Sequence, residues 1–307
     1  MTPPLCVLVT GASGCVGHRV VHRLLQAGTW RVRALVRDPG RCLLPPHPLL
    51  EVVAGDLLDL REDSTATRGV AAIAHLATAW GDPVAYPVNV GATLALARLG
   101  RPMVYLSTAS ILDGAGALLP QAETLGTDYI RSKALAYRGL REEGLTGHVR
   151  TLFPTLVVAG TRDGPASHLG RGLARSRRWL SLARHVTLEA RFHFIHAGDL
   201  ARMVVACLQA PDRAGDHVVG QPAISLEAAL AELSACHGIR RRPWFDLEPW
   251  LRPVAGLAGA RMTAWDRHCL KTREFVYAGA MAPETVGMTS EWPNLSAIAK
   301  YEGWLAA

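Results

Sequence analysis

A chain of 307 residues with 49% hydrophobic and 19% charged residues can bury a sizeable core, which excludes an intrinsically disordered polymer. No run reaches the ~20 apolar residues that cross a bilayer, and "MTPPLCVLVTG" leads into glycines without a basic leader, so a soluble, cytoplasmic protein with no membrane partner is expected. The formal charge of +7 favours anionic ligands, but no nucleic-acid motif accompanies it, and the six cysteines and twelve histidines lack CxxC or HExxH spacing, so neither a nucleic-acid partner nor a metal is expected.

"LCVLVT" (5–10) reads as a buried strand, followed by glycines and then "CVGHRVVHRLLQAG", an amphipathic helix closed by Gly28. Strand-like runs follow at 30–36, 49–55, 69–77 and 101–108, with helical segments between several of them, notably "NVGATLALARLG" (89–100). Strands separated by helices need parallel crossovers and cover on both faces, which predicts an α/β fold with a doubly wound parallel sheet of Rossmann type. Further along, "HVRTLFPTLVVAG" (148–160) reads as a sixth strand and "DHVVG" (216–220) as another. In "FHFIHAGDLARMVVACLQAP" a helix starts near Asp199 and stops before Pro211, and "ISLEAALAELSACHG" is a second amphipathic helix. The expected division is a dinucleotide-binding domain over 1–160, to which 193–222 return, and a smaller discontinuous substrate lobe of 161–192 and 223–307. Two basic stretches, 171–184 and 239–244, are either solvated faces or a lip that meets anionic groups.

Gly11, Ser13, Gly14, Cys15, Val16 and Gly17 lie between the first strand and the first helix. Glycines there permit a tight turn and close approach of a pyrophosphate to backbone N–H groups at a helix N-terminus. About 20 residues on, where an acid would select NAD, the chain has Arg37 in "ALVRDPGR". A guanidinium suits a 2′-phosphate, so NADP is expected, with NAD still possible because Asp38 is adjacent. Asp56 and Leu57 are candidates for the adenine site, and Leu76, Ala77 and Thr78 for the ribose side, where small residues let the backbone lie close.

"DYIRSKAL" spaces Tyr129 and Lys133 four residues apart, one above the other if helical. An ammonium close to a phenol would lower its pKa from about 10 and suit it to proton transfer. With the glycine turn and "FHFIHAGDLA", this segment resembles the short-chain dehydrogenase/reductase superfamily, in its extended branch of sugar-nucleotide epimerases, hydroxysteroid dehydrogenases and dihydroflavonol-type reductases, over about 5–208. The resemblance implies that Tyr129 is the proton donor and that Lys133 also grips the nicotinamide ribose. It implies a third catalytic hydroxyl in "YLSTASILDG", with Thr108 matching best and Ser107 and Ser110 as rivals. Asn89 matches an asparagine held to support the lysine, His196 matches a turn-stabilising histidine, Phe153 and Pro154 fall at the cofactor, and a homodimer is implied.

Departures from that pattern bear on the substrate. Leu156 stands where sugar-nucleotide members carry an asparagine, Phe192 where they carry an arginine, and His193 where an aspartate is usual. Such a site would compensate a diphosphate poorly. Ser110, Leu156 and His193 are therefore candidate contacts to a small apolar or aromatic carbonyl compound, while Trp244, Trp250 and Trp265 are expected mainly in the core. An NADP-dependent ketone reductase or alcohol dehydrogenase is the leading expectation. An epimerase or dehydratase with tightly held NAD, and a non-catalytic redox sensor or scaffold, stay open.

Overall fold

The computed structural model describes residues 4–81, 83–210, 215–251, 253 and 262–304, and leaves the side chains of 41 and 176–178 undescribed. Pro211, the expected helix stop, lies outside the described residues. In the first half, β1 (Cys6–Thr10) is followed by α1 (Cys15–Ala27), β2 (Arg31–Val36), β3 (Leu50–Ala54) and β4 (Val70–His75). Then come α2 (Thr93–Ala97), β5 (Met103–Leu106), α3 (Pro120–Thr124), α4 (Asp128–Glu142) and β6 (Val149–Pro154). With β11 (Gly215–Val219) these strands form a seven-stranded sheet in the order β11-β6-β5-β4-β1-β2-β3, every neighbouring pair parallel. The strand order reverses between β1 and β4, the crevice where open α/β sheets bind ligands.

The β1 sequence is apolar at every position because both faces are covered: all five residues are buried. On one face Val7 and Val9 pack with Val20 and Leu24 of α1 and with Leu200 and Val204 of α7 (Ala197–Gln209). On the other, Cys6 and Leu8 meet Leu96, Ala136 and Leu140. Helix α1 ends where Gly28 turns left-handed (φ 65°) and its N–H reaches the carbonyls of Leu24 and Leu25.

Two expected elements are subdivided. The helix anticipated over 89–100 begins as a π-helical turn, Pro87–Ala92, before α2. This widened turn places the Asn89 side chain inward, where it is fully buried and hydrogen-bonded. The strand anticipated over 148–160 breaks at Thr155, whose N–H donates to Val219 O; β6 stays in the main sheet, and β7 (Leu156–Val158) pairs with β10 (Phe194–His196) instead.

The remaining segments form short pairings around α5 (His168–Leu173), α6 (Ser176–Ala183) and α8 (Leu226–Cys236). Strand β8 (Val186–Thr187) pairs with β13 (Phe245–Asp246), and β9 (Arg191–Phe192) lies between β12 (Ile224–Ser225) and β14 (Glu274–Phe275). The FIHxxD segment fastens the C-terminal part to the sheet. Buried Asp199 accepts hydrogen bonds from Ser290 Oγ at 2.5 Å and Arg202 at 3.1 Å. His196 caps α7 by accepting the Gly198 N–H, and its other nitrogen donates to Glu302 at 3.0 Å. Of the tryptophans expected in the core, Trp265 is buried, but Trp244 and Trp250 are exposed, each with one side against the Phe245 ring of β13. Arg241, from the second basic stretch, is drawn inward to Glu227 and to the carbonyls of Ala183 and Val186. No described helix is long and apolar enough to cross a membrane.

Candidate active site

The glycine turn closes over the carboxyl ends of β1 and β4. Gly11 has φ 70°, and a Cβ there would sit 2.7 Å from the Ala77 backbone nitrogen, so both conformation and proximity require glycine. A Cβ on Gly17 would lie 2.1 Å from Gly11 O. Helix α1 can therefore abut the turn only with glycine at 17. Alanine there is expected to weaken dinucleotide binding by at least about tenfold and to cost roughly 1–3 kcal/mol of stability by overpacking, measured by titration calorimetry and thermal melting. The first intrahelical bond runs from His18 N–H to Gly14 O at 2.9 Å. The N–H groups of Cys15, Val16 and Gly17 thus precede the helical ladder, and no side chain caps them. That uncapped end of a 13-residue helix, with Ser13 and Gly14 exposed beside it, fits a pyrophosphate.

At the end of β2 the two candidate selectors separate. Asp38 turns its carboxylate onto the Gly40 N–H at 3.0 Å, capping the short turn Pro39–Arg41. Arg37 is exposed, and among the described residues no hydrogen bond or ion pair engages it. Asp56 is similarly committed through Oδ1, which caps the Leu57–Asp59 turn by accepting from Leu58 N–H at 2.9 Å, and no described residue bonds Oδ2. Leu76 is buried, Ala77 half-buried and Thr78 exposed, in line from the sheet to the surface.

Tyr129 and Lys133 lie on α4, which starts at an N-cap made by Thr127. Lys133 is almost wholly buried (1% exposed), its Nζ donating to Leu106 O at 3.0 Å and lying 4.9 Å from the Tyr105 ring. Burial draws its pKa down to about 7. Burial pushes the Tyr129 phenol up to about 12, with only a hydrogen bond from Thr108 acting in the other direction. Lys133 is not among the groups that shift the phenol, so the expectation that its charge lowers the Tyr129 pKa is corrected. The ammonium is turned to a main-chain carbonyl, and desolvation dominates both groups.

Among the rival hydroxyls, Thr108 meets Tyr129 and also caps the turn Ala109–Ile111 by accepting from Ser110 N–H at 3.3 Å. Ser107 faces Tyr105 in the interior, and neither hydroxyl achieves hydrogen-bond geometry. Ser110 is half-buried and Leu156 is 45% exposed at the start of β7. His193 does not face an open site. Its Nε2 accepts from Tyr277 N–H at 3.1 Å and its Nδ1 donates to Gln221 O at 2.8 Å, so both nitrogens brace the β10 and β14 region. Phe153 likewise belongs to the core, edge-on to Tyr137 at 5.1 Å, and Pro154 ends β6 buried beside it.

Among the described residues no direct hydrogen bond joins Asn89 to Lys133. Its amide donates to Ala79 O (2.8 Å) and Ser132 Oγ (2.9 Å) and accepts from Thr78 Oγ1 and Ala79 N–H, and Ser132 in turn bonds the Tyr129 carbonyl at 3.0 Å. Asn89 therefore ties the loop after β4 to α4. A second buried relay runs beneath it: His75 joins Thr10 Oγ1 (2.8 Å) to Thr93 Oγ1 (2.9 Å), and Thr93 donates to Asn89 O at 2.7 Å. Burial lowers the His75 pKa to about 3, so the ring is a neutral strut between the end of β1, just before the glycine turn, and the start of α2. Sequence reasoning missed this histidine; its only signal was a polar residue in the otherwise apolar run "VAAIAH". It also missed Trp80, exposed by 55% and stacked on Tyr129 with centroids 4.1 Å apart.

No group of metal-ligating side chains occurs among the described residues. A cavity of about 260 Å³ bounded by Glu62, Asp63, Arg68 and Arg101 opens at the start of β4, the opposite end of the sheet from the glycine turn, and takes no part in the site.

A parallel sheet with its switch point at β1 and β4, a glycine-lined helix start, and a tyrosine and lysine on one helix define a Rossmann protein built for a dinucleotide. The chain belongs to the NAD dependent epimerase/dehydratase family, whose model matches residues 7–220, within the extended short-chain dehydrogenases/reductases. It is 34% identical over 180 residues to a Mycobacterium tuberculosis protein named 3 beta-hydroxysteroid dehydrogenase/Delta 5-->4-isomerase, covering 51% of this chain and 48% of that one. The chain thus spans about half the length of that relative. It is 27% identical over 269 residues to dihydroflavonol 4-reductase of Zea mays, covering 74% and 73%. The fold matches the terminal R domain from the myxalamid PKS-NRPS biosynthetic pathway with a TM-score of 0.72 at 19% identity, over 99% of this chain and 91% of that one.

Proposed function

We propose that the protein is an NADP(H)-dependent oxidoreductase that reduces a ketone or aldehyde, or oxidises a secondary alcohol, on a small apolar or aromatic substrate. The observation that carries this reading is that one turn of α4 separates Tyr129 from buried Lys133, whose Nζ is anchored on Leu106 O at the carboxyl end of β5, two residues before Thr108. Thr108 orients the substrate oxygen, and Tyr129 gives it a proton in reduction or takes one in oxidation. Lys133, a donor held at the carboxyl end of β5, binds ribose hydroxyls. The dinucleotide, when bound, supplies or accepts the hydride. The N–H groups of Cys15, Val16 and Gly17 receive its pyrophosphate, and residues 161–192 with 223–307 hold the substrate. The names of the two curated relatives support oxidoreduction of a ring compound.

The preference for NADP rests on Arg37 standing free while Asp38 is consumed by its own turn. Calorimetric titration is expected to give tighter binding of NADP than of NAD. Arg37→Ala is expected to weaken NADP by about 10- to 100-fold, the value of a charge-assisted hydrogen bond, with little change for NAD. Tighter NAD binding by the unmodified protein overturns the assignment. Cofactor retained through purification, with no net consumption of NADPH, would support the epimerase or dehydratase reading instead.

A further inference from the structure

Three elements bring aromatic rings together at the candidate phenol. Tyr129 comes from α4, Trp80 from the loop after β4, and His168 from the first position of α5. The indole lies nearly parallel to the phenol ring, with 18° between planes and centroids 4.1 Å apart; His168 stands 4.7 Å from the indole at 60°. Stacked aromatic rings in a protein usually fill a core, where burial drives them together. Here Trp80 keeps 55% of its surface in water and His168 is exposed, so folding accounts for only part of the indole's apolar area.

Both walls are held from behind. Asn89 binds the Ala79 N–H and carbonyl, next to Trp80 in the chain. Ser167 caps α5 through Gly170 N–H and also accepts from Ala159 N–H, which fastens the residue before His168 to the loop after β7. A Cβ on Gly170 would lie 1.9 Å from Ala159 O, so α5 sits as close to that loop as a backbone can. The imidazole is oriented by Arg171, which donates to Nδ1 at 3.2 Å. Exposed flat rings on anchored backbones, next to the Tyr129 hydroxyl, have the make-up of a recognition subsite: rigid walls and little entropy left to lose.

We propose that Trp80 and His168 form a stacking subsite for a planar aromatic ring of the substrate, which brings the attached oxygen to Tyr129 and Thr108. This rests on the reading of Tyr129 as proton donor. A flat ring can lie against the indole and gain the geometric part of an aromatic contact; a puckered saturated ring of the same skeleton cannot, and keeps only its area burial.

The test is calorimetric binding of 2-naphthol and of decahydro-2-naphthol to the protein saturated with oxidised cofactor. The unmodified protein is expected to bind the flat compound about fivefold more tightly. Trp80→Ala is expected to erase that preference with cofactor affinity unchanged, Trp80→Phe to retain most of it, and His168→Ala to reduce it in part. Equal binding of the two compounds by the unmodified protein overturns the subsite, as does a preference that survives Trp80→Ala. If Trp80→Ala does not fold, the first comparison and Trp80→Phe still decide. None of these outcomes bears on whether Tyr129→Phe abolishes turnover, so failure of the subsite and failure of the catalytic reading are told apart.

Discussion

Replacing Tyr129 with phenylalanine is expected to lower turnover by about 10²- to 10⁴-fold, the usual contribution of a positioned general acid, while dinucleotide affinity is nearly unchanged. Phenylalanine preserves the ring that stacks on Trp80 and removes only the hydroxyl that meets Thr108. The phenol's pKa sets the direction of the pH dependence. At about 12 it holds its proton throughout the neutral range, so reduction finds the phenol in the protonated form it needs. Oxidation of an alcohol needs the phenolate, whose fraction rises tenfold per pH unit below that value, so oxidation should climb into alkaline solution while reduction does not. The positive nicotinamide of an oxidised cofactor favours the phenolate and moves the climb to lower pH. Steady-state rates in both directions across pH 6–10 check this. Undiminished turnover by Tyr129→Phe rejects the acid/base role.

Removing the Glu302 carboxylate is expected to be the largest single loss of stability outside the catalytic site. Its side chain is wholly enclosed, accepting from His196 Nε2 at 3.0 Å and from the Arg162 N–H at 3.3 Å, with the Arg19 guanidinium 4.0 Å away. Arg19, from α1, is itself buried and bonds the carbonyls of Cys15, Gly160 and Pro165. Glu302→Ala strands that cation without a countercharge and leaves His196 without an acceptor. Breaking one side of a buried pair costs about 3–5 kcal/mol, which for a chain of this size is a melting point lower by roughly 6–20 °C. Glu302→Gln, which keeps the shape and one acceptor, should lose less.

The pH dependence follows from the same contacts. Burial alone would raise the Glu302 carboxyl, but hydrogen bonds from His196, Gly160 and Arg162 outweigh it, and the net shift is downward from 4.5. A depressed carboxyl contributes stability above its unfolded value, lost as pH falls through the folded one. The gap in melting temperature between the natural protein and Glu302→Gln should therefore be full at neutral pH and narrow below about 4.5. A gap that stays constant into acid would show that the carboxylate charge is not what holds Arg19 and His196.

The reading of strands and of the glycine turn rests on short-range physics. A five-residue apolar strand, a tight turn that only glycine can make, and an amphipathic helix ended by Gly28 are each specified within a few residues of themselves. The parallel order of the sheet followed because strands separated by helices have few ways to return. The Tyr129–Lys133 spacing was legible for the same reason: one helix turn puts both on one face. Such neighbours share a face without sharing an environment, and that environment depends on residues tens of positions away.

Desolvation by the packed sheet, with Leu106 taking the ammonium and Thr108 the phenol, decided that the two groups do not lower one another as their spacing suggests. Tyr277 and Gln221 claimed both nitrogens of His193, the core absorbed Phe153, and a π-helical turn carried Asn89 to Ser132. Trp80 reached Tyr129 across 49 positions of chain, and no local pattern encodes a contact of that separation. Composition, periodicity and spacing determined which backbone this protein builds and that Tyr129 and Lys133 share one face of α4; only the tertiary structure, by choosing what is buried against what, decided which partners each side chain keeps.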